Sequence, residues 1–163
     1  MLGVPGAGKT TTANAISEVT GATHLWADKI RRERYGRPSY SHSENLALYD
    51  HMNRMAGELL AAGNDVIFDT NFNFREDRQK LRDIAKKISA RTLVVWVKAP
   101  KTLAKQRATK DAYLQDTRLL GDMDDQDFER LSGKLEPPTA KEKVVTIDGT
   151  KVTPDYVRQQ LGL

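Results

Sequence analysis

Apolar residues recur along this chain in two rhythms. Dense short runs at Val66-Ile67-Phe68, at Thr92–Val97 and at Val144, Val145 and Ile147 have the length and β-branched content of buried strands. Between them apolar positions return every three or four residues, the helical period. A first helix is expected over Gly8–Val19, with Ala15, Ile16 and Val19 facing inward. A short strand over Thr23–Trp26 and a short helix over Asp28–Tyr35 follow, the helix ended by Gly36 and Pro38. Ser41 and Glu44 have capping-box spacing ahead of a long helix reaching Ala62, where Leu48, Met52, Met55, Leu59 and Leu60 share a face. Gly63 stops it. Asn73 is expected to cap a helix bearing Leu81, Ile84, Ala85 and Ile88. Pro100 opens another, and Thr153-Pro154 starts a short terminal one. Alternating strands and helices predict an α/β fold with a parallel sheet. The expectation is a three-layer core: five parallel strands in the order 2-3-1-4-5, flanked by helices.

Length and composition narrow the class. A chain of 163 residues suits one domain with one sizeable core. With 39% hydrophobic and 29% charged residues it reads as a globular protein, and no apolar run approaches the ~18 residues that would span a bilayer. The absence of Cys excludes a disulfide framework, a zinc–thiolate site and a thiol nucleophile. A cytoplasmic protein with no membrane partner is expected. The net charge of +4 permits an anionic partner without demanding one.

The strongest chemical signal is Gly3-Val4-Pro5-Gly6-Ala7-Gly8-Lys9-Thr10, an unbroken G-x-x-x-x-G-K-[ST]. Its glycines let the backbone turn tightly and aim N–H groups at phosphate oxygens. The helix behind it presents its positive end to the same anion. Gly3, Pro5, Gly6, Ala7, Gly8, Lys9, Thr10 and Thr11 are the expected nucleotide cradle. Within it Lys9 reaches the β and γ phosphates of ATP, and the Thr10 hydroxyl ligates Mg²⁺. Only Met1 and Leu2 precede the motif, so the first strand is expected to be very short or truncated, with reduced stability.

Further residues extend this half-site. Asp65–Asp69 is an apolar strand ending in a carboxylate, the form in which Asp69 helps hold Mg²⁺ and its waters. Asp28 and Arg31 lie at i and i+3, on one face of a helix just past the second strand. Ligands of open α/β sheets gather at such strand ends. There Asp28 can take a proton from an attacking hydroxyl, and Arg31 can fork onto an acceptor phosphate. On spacing alone the pair is equally a surface ion pair. Lys29, Arg32, Arg34 and Arg37, interleaved with Trp26, Tyr35 and Tyr40, have the composition of a single-strand nucleic-acid groove or of a solvated helix face. Residues 107–138 break the α/β rhythm and are expected to form a helical lid. In it Arg107 is the expected catalytic cation; Lys105 and Arg118 read as solvated helix ends. The three histidines, His24, His42 and His51, share no metal-ligand spacing, and His24 is expected in or beside the second strand.

Over nearly its whole length the chain resembles P-loop kinases of the polynucleotide kinase and zeta-toxin type, in the adenylate-kinase-like group. The likeness rests on Gly3–Thr10, on Asp28-x-x-Arg31, on Asp69-Thr70-Asn71-Phe72-Asn73 with Arg75 and Arg78, and on Glu136-Pro137-Pro138. It implies that Asp28 is the general base, that Arg31, Asn71 and Arg78 contact the acceptor, and that Arg107 meets the donor phosphates. It implies ATP- and Mg²⁺-dependent transfer of the γ-phosphoryl group to a hydroxyl, foremost the 5′-hydroxyl of a single-stranded nucleic acid. Where the family's lid often offers a second Arg, this chain has Lys110 and Asp111. A small-molecule acceptor, such as a nucleotide sugar in the zeta-toxin manner, is the alternative. An ATP-binding switch with little transfer activity is the second alternative.

Overall fold

The structure is a computed structural model that describes residues 1–71, 73–111, 114 and 123–163. Helix α1 (Lys9–Thr20) leads to strand β1 (Thr23–Trp26), which runs directly into α2 (Ala27–Tyr35). Helix α3 (His42–Ala61), β2 (Val66–Asp69), α4 (Arg75–Lys87), β3 (Val94–Lys98) and α5 (Lys101–Thr109) follow. Then come α6 (Asp125–Gly133), β4 (Val144–Asp148) and α7 (Pro154–Leu161).

The α/β alternation predicted from the apolar rhythm is present, and both strand pairings are parallel. β1 pairs with β2 from Thr23↔Val66 to Trp26↔Asp69, and β3 with β4 from Val94↔Val144 to Lys98↔Asp148. The described strands thus form two two-stranded sheets, not one continuous sheet of five. The N-terminal segment lies between the two pairs. Leu2 makes a single parallel bridge to Trp96, donating to the Val95 carbonyl and accepting from Val97 N. Met1 donates its ammonium to the Phe68 carbonyl at 2.8 Å. The N-terminal segment therefore touches both strand pairs, and the motif leaves from between the ends of β2 and β3. A cavity of about 370 Å³ is lined in part by Met1, by Val66 and Ile67 of β2 and by Val94 and Val95 of β3.

The apolar surface is buried in three clusters. Ala13, Ile16, Val95, Val97, Ile147 and Val157 pack α1 and α7 on the β3–β4 pair. Leu25, Leu48, Met52, Ala56 and Phe68 pack α3 on the β1–β2 pair, burying the helical stripe expected of Leu48 and Met52. Phe128 of α6, fully buried, fits between Ala104 and Ala108 of α5.

Two local expectations are corrected. Ser41 caps α3 by accepting from Glu44 N at 3.2 Å, but the Glu44 carboxylate does not complete a capping box. It turns instead to Ser39 N at 2.6 Å and Ser39 Oγ at 2.7 Å. Asn73 does not cap α4, whose N-cap is Phe74. Its side chain reaches 58 residues on, and Nδ2 donates to the Leu131 carbonyl at 3.2 Å, which gives the donor half of this buried amide a partner. Glu136 N returns a bond to the Asn73 carbonyl, and Glu136 Oε2 accepts from Arg75 N. Residues 112–113 and 115–122 of the expected lid, Arg118 among them, lie outside the described residues, as does Phe72.

Candidate active site

The glycine-rich loop has the backbone that its composition calls for. Gly6 sits at φ 73°, and a Cβ there would stand 2.0 Å from the Ala104 carbonyl oxygen. Only glycine allows both that turn and that approach. Gly8 is the N-cap of α1, with no side-chain cap and no acidic residue in the first turn. The helix therefore offers its positive end to an outside anion. Lys9 folds back and donates its ammonium to the carbonyls of Gly3 at 3.0 Å and Val4 at 3.1 Å. Pro5 and Ala7 are buried in the loop's floor, while Thr10 and Thr11 sit at the start of α1 with Thr11 exposed.

The carboxylates lie at matched strand ends. Trp26 and Asp69 are partners in the β1–β2 register, and Asp28 follows Trp26 by two residues, in the first turn of α2. Asp69 is 2% exposed, and its Oδ2 lies 3.0 Å from His24 Nε2. His24 Nδ1 in turn lies 3.0 Å from Asn14 Oδ1 on α1. His24 was expected only to pack beside the second strand. No spacing rule could reveal its partner, 45 residues away.

These residues suit Mg²⁺. The donors at hand, a Thr hydroxyl and one carboxylate, are hard oxygens. The described residues hold no cluster of three or more His, Asp or Glu that could cage a metal. An ion that keeps most of its waters and shares a phosphate needs no such cage.

The expected cations stand in different places. Arg107, on α5, donates to the Gly149 carbonyl at 3.1 Å, and the Gly149 backbone lies against Ala7 and Gly8 of the loop. It is thereby held beside the nucleotide cradle. Arg31 is buried instead of open. Its Nη1 donates to Glu44 Oε1, its Nη2 to Asn45 Oδ1 at 2.7 Å, and the Tyr40 ring lies 4.9 Å from its guanidinium carbon. Burial alone would raise the Glu44 pKa; hydrogen bonds from Ser39 and Arg31 outweigh it and lower it to about 2. Arg78 is buried as well, and donates Nε to Glu142 Oε1 at 2.7 Å and Nη2 to Glu142 Oε2 at 3.2 Å. Arg82 joins the same carboxylate at 2.7 Å. Burial pushes Glu142 up, but bonds from Arg78, the Thr139 amide and Arg82 pull it down to about 2. Two residues expected at the acceptor, Arg31 and Arg78, thus spend their guanidinium groups on buried carboxylates. Asn71 is exposed at the end of β2, where a small cavity of about 20 Å³ is lined by Tyr49, Asn53, Thr70, Asn71, Asp77 and Lys80.

Sequence reasoning missed Gly149. A Cβ there would stand 1.8 Å from the Ala7 carbonyl oxygen, so this glycine closes the back of the loop. Its signal was faint: a Gly in the turn just after the last strand.

Solved structures share the fold over nearly the whole chain. The gluconokinase of Sinorhizobium meliloti is 21% identical, with TM-score 0.66, covering 99% of this chain and 87% of that one. The APS kinase of Mycobacterium tuberculosis, in complex with AMPPNP and APS, is 15% identical, with TM-score 0.69 and coverage of 99% and 92%. Kti12 of Chaetomium thermophilum, in complex with ADP-AlF3, is 18% identical, with TM-score 0.75 and coverage of 99% and 96%. No curated protein sequence matches the chain. No helix among the described residues is long and apolar enough to cross a membrane. The sequence profile of the AAA domain family matches residues 1–138, and the chain, an α/β P-loop protein, belongs to that family.

Proposed function

We propose that this protein is an ATP- and Mg²⁺-dependent kinase that moves the γ-phosphoryl group to a hydroxyl of a small molecule. The carrying observation is that Asp69 ends β2 in register with Trp26, the last residue of β1, with Asp28 two residues further on in α2, together with a P-loop whose helix start has no side-chain cap. One carboxylate serves the metal and the other the acceptor. Asp28 takes the proton from the attacking hydroxyl. Lys9 leaves the Gly3 and Val4 carbonyls for the phosphates, and Arg107 adds positive charge to the transferring group. Thr10 and Asp69 would hold Mg²⁺, and the bound ion would supply charge neutralisation at the β and γ phosphates. We infer that the N-terminal segment stands between the pairs as β1, β2, Met1–Leu2, β3, β4, which is the expected order 2-3-1-4-5 with that segment counted as the first strand, from its bonds to both strand pairs.

The choice of a small acceptor over a 5′-hydroxyl end rests on Arg31. A guanidinium gripping a nucleic-acid phosphate must be reachable, whereas Arg31 is 4% exposed and paired with Glu44. Fold neighbours that include a gluconokinase and an APS kinase support the same choice. The nucleic-acid reading keeps one support, the exposed Lys29, Arg32, Arg34 and Arg37 on and just beyond α2. γ-Labelled ATP offered with pooled sugars and nucleosides, 5′-hydroxyl DNA and 5′-hydroxyl RNA separates them. Label in the small-molecule pool is the expected result, and label only in an oligonucleotide, lost at high salt, reverses the choice. ATP binding with label in no fraction leaves the nucleotide-switch reading.

A further inference from the structure

Thr10 and Asn14 are four residues apart on α1 and so lie on one face of it. Asn14 meets His24 Nδ1, and His24 Nε2 meets Asp69 Oδ2, each at 3.0 Å. Three elements are thereby joined: the helix behind the glycine-rich loop, β1, and the end of β2. Asp69 is otherwise short of support. Among the described residues, His24 is the single hydrogen-bond partner of its carboxylate. The histidine is also fixed in plane: its ring stacks on Trp26, with centroids 6.1 Å apart and 14° between planes. Whichever way the Asn14 amide is turned, the proton on Nε2 points at Asp69, since a carboxylate can only accept.

We propose that His24 is a positioning residue for metal binding: it holds one oxygen of Asp69, turns the other toward the metal, and sets Asp69 against the α1 face that carries Thr10. The inference rests on the reading of Thr10 and Asp69 as the Mg²⁺ residues. A partner one shell out fixes the rotamer of a ligating carboxylate and is worth about 10–100-fold in metal affinity in comparable sites. His24 itself touches neither nucleotide nor acceptor in this scheme.

The test is calorimetric titration of ADP into the protein, with Mg²⁺ varied and with EDTA in its place. No phosphoryl acceptor is needed, so the outcome stands apart from whether any acceptor is phosphorylated. His24→Leu should raise the Mg²⁺ concentration for half-maximal tightening of ADP by about 10-fold or more. Its ADP affinity in EDTA should stay within about 2-fold of the parent's. His24→Gln keeps an N–H donor for Asp69 and should recover the Mg²⁺ response to within about 3-fold. Asn14→Ala, on an exposed helix position, should give a smaller shift of about 3-fold, and carries the test should His24→Leu fail to fold. An unchanged Mg²⁺ response in the folded His24 and Asn14 variants overturns the proposal. So does an equal loss with and without Mg²⁺, the mark of a merely structural role. Asp69→Asn separates the failures. If it also leaves the Mg²⁺ response unchanged, the metal role of Asp69 falls and the inference with it; if it abolishes the response while the other variants do not, His24 alone is misassigned.

Discussion

The backbone of Gly149 and the carbonyl of Ala7 are in contact, with no room for even one methyl group between them: a Cβ on residue 149 would lie 1.8 Å from the Ala7 oxygen. The turn after β4 is in this way the back wall of the glycine-rich loop.

Gly149→Ala should therefore cost about 3 kcal/mol of stability, the upper end for overpacking, because backbone and not a pliable side chain must move. Gly133→Ala is the matched control. Nothing lies within 4 Å of the place its methyl group would take, and it ends α6 without a positive φ, so stability should change by less than about 0.5 kcal/mol or rise. Urea denaturation of the two variants checks the contrast. Equal losses would show that residue 149 is not tightly enclosed.

Glu142→Gln should destabilise the fold by about 3–5 kcal/mol, because it strips a buried Arg78 of its counter-charge. The pH dependence follows from the direction of the shift. The folded pKa is near 2 against an ordinary 4.5, so the contribution of Glu142 is complete above pH 4.5 and fades as pH falls toward 2. Glu44 acts in the same window. Melting curves from pH 5 to pH 2 should show the gap between parent and Glu142→Gln closing, and a constant gap would refute the paired state.

Much of the fold was legible because the relevant signals are local. The glycine-rich motif, the run ending at Asp69 and the helical stripe through Leu48 and Met52 each depend on spacing within one element. Side-chain pairing across the chain was not. Arg78 and Glu142 are 64 residues apart and Asn73 and Leu131 are 58 apart, and no period links them. Arg31 shows the limit most clearly. Its spacing from Asp28 suggested a shared outward face, yet Glu44, 13 residues on, drew it inward. A buried carboxylate outcompetes solvent for a guanidinium, and sequence spacing does not register burial.

The Met1 ammonium offers a measurement at the strand junction. Burial lowers its pKa from 8.0 to about 6, despite the opposing pull of Asp69. The unfolded chain therefore holds the extra proton between those values, and stability should rise as pH goes from 6 to 8, by up to about 2–3 kcal/mol. Acetylating the amine keeps an N–H for the Phe68 carbonyl and should flatten the slope. Guanidinium titrations at both pH values test this; a slope that survives acetylation assigns it elsewhere.

Asp28→Asn should lower phosphoryl transfer by about 10³-fold or more while leaving ATP affinity within about 3-fold, since the base acts on the acceptor's proton and not on the donor. Lys9→Ala should weaken both. Transfer at the parental rate in Asp28→Asn, read with γ-labelled ATP, would remove Asp28 from the role of base.

The two bonds from Lys9 to the Gly3 and Val4 carbonyls tie the last residues of the glycine-rich loop to its first. The ammonium braces the ring from within, so the chain's own cation sets the curvature of the phosphate seat. On the role proposed for Lys9, nucleotide binding is an exchange of partners by that one side chain. A seat shaped in advance in this way gives up less of its affinity to lost conformational freedom.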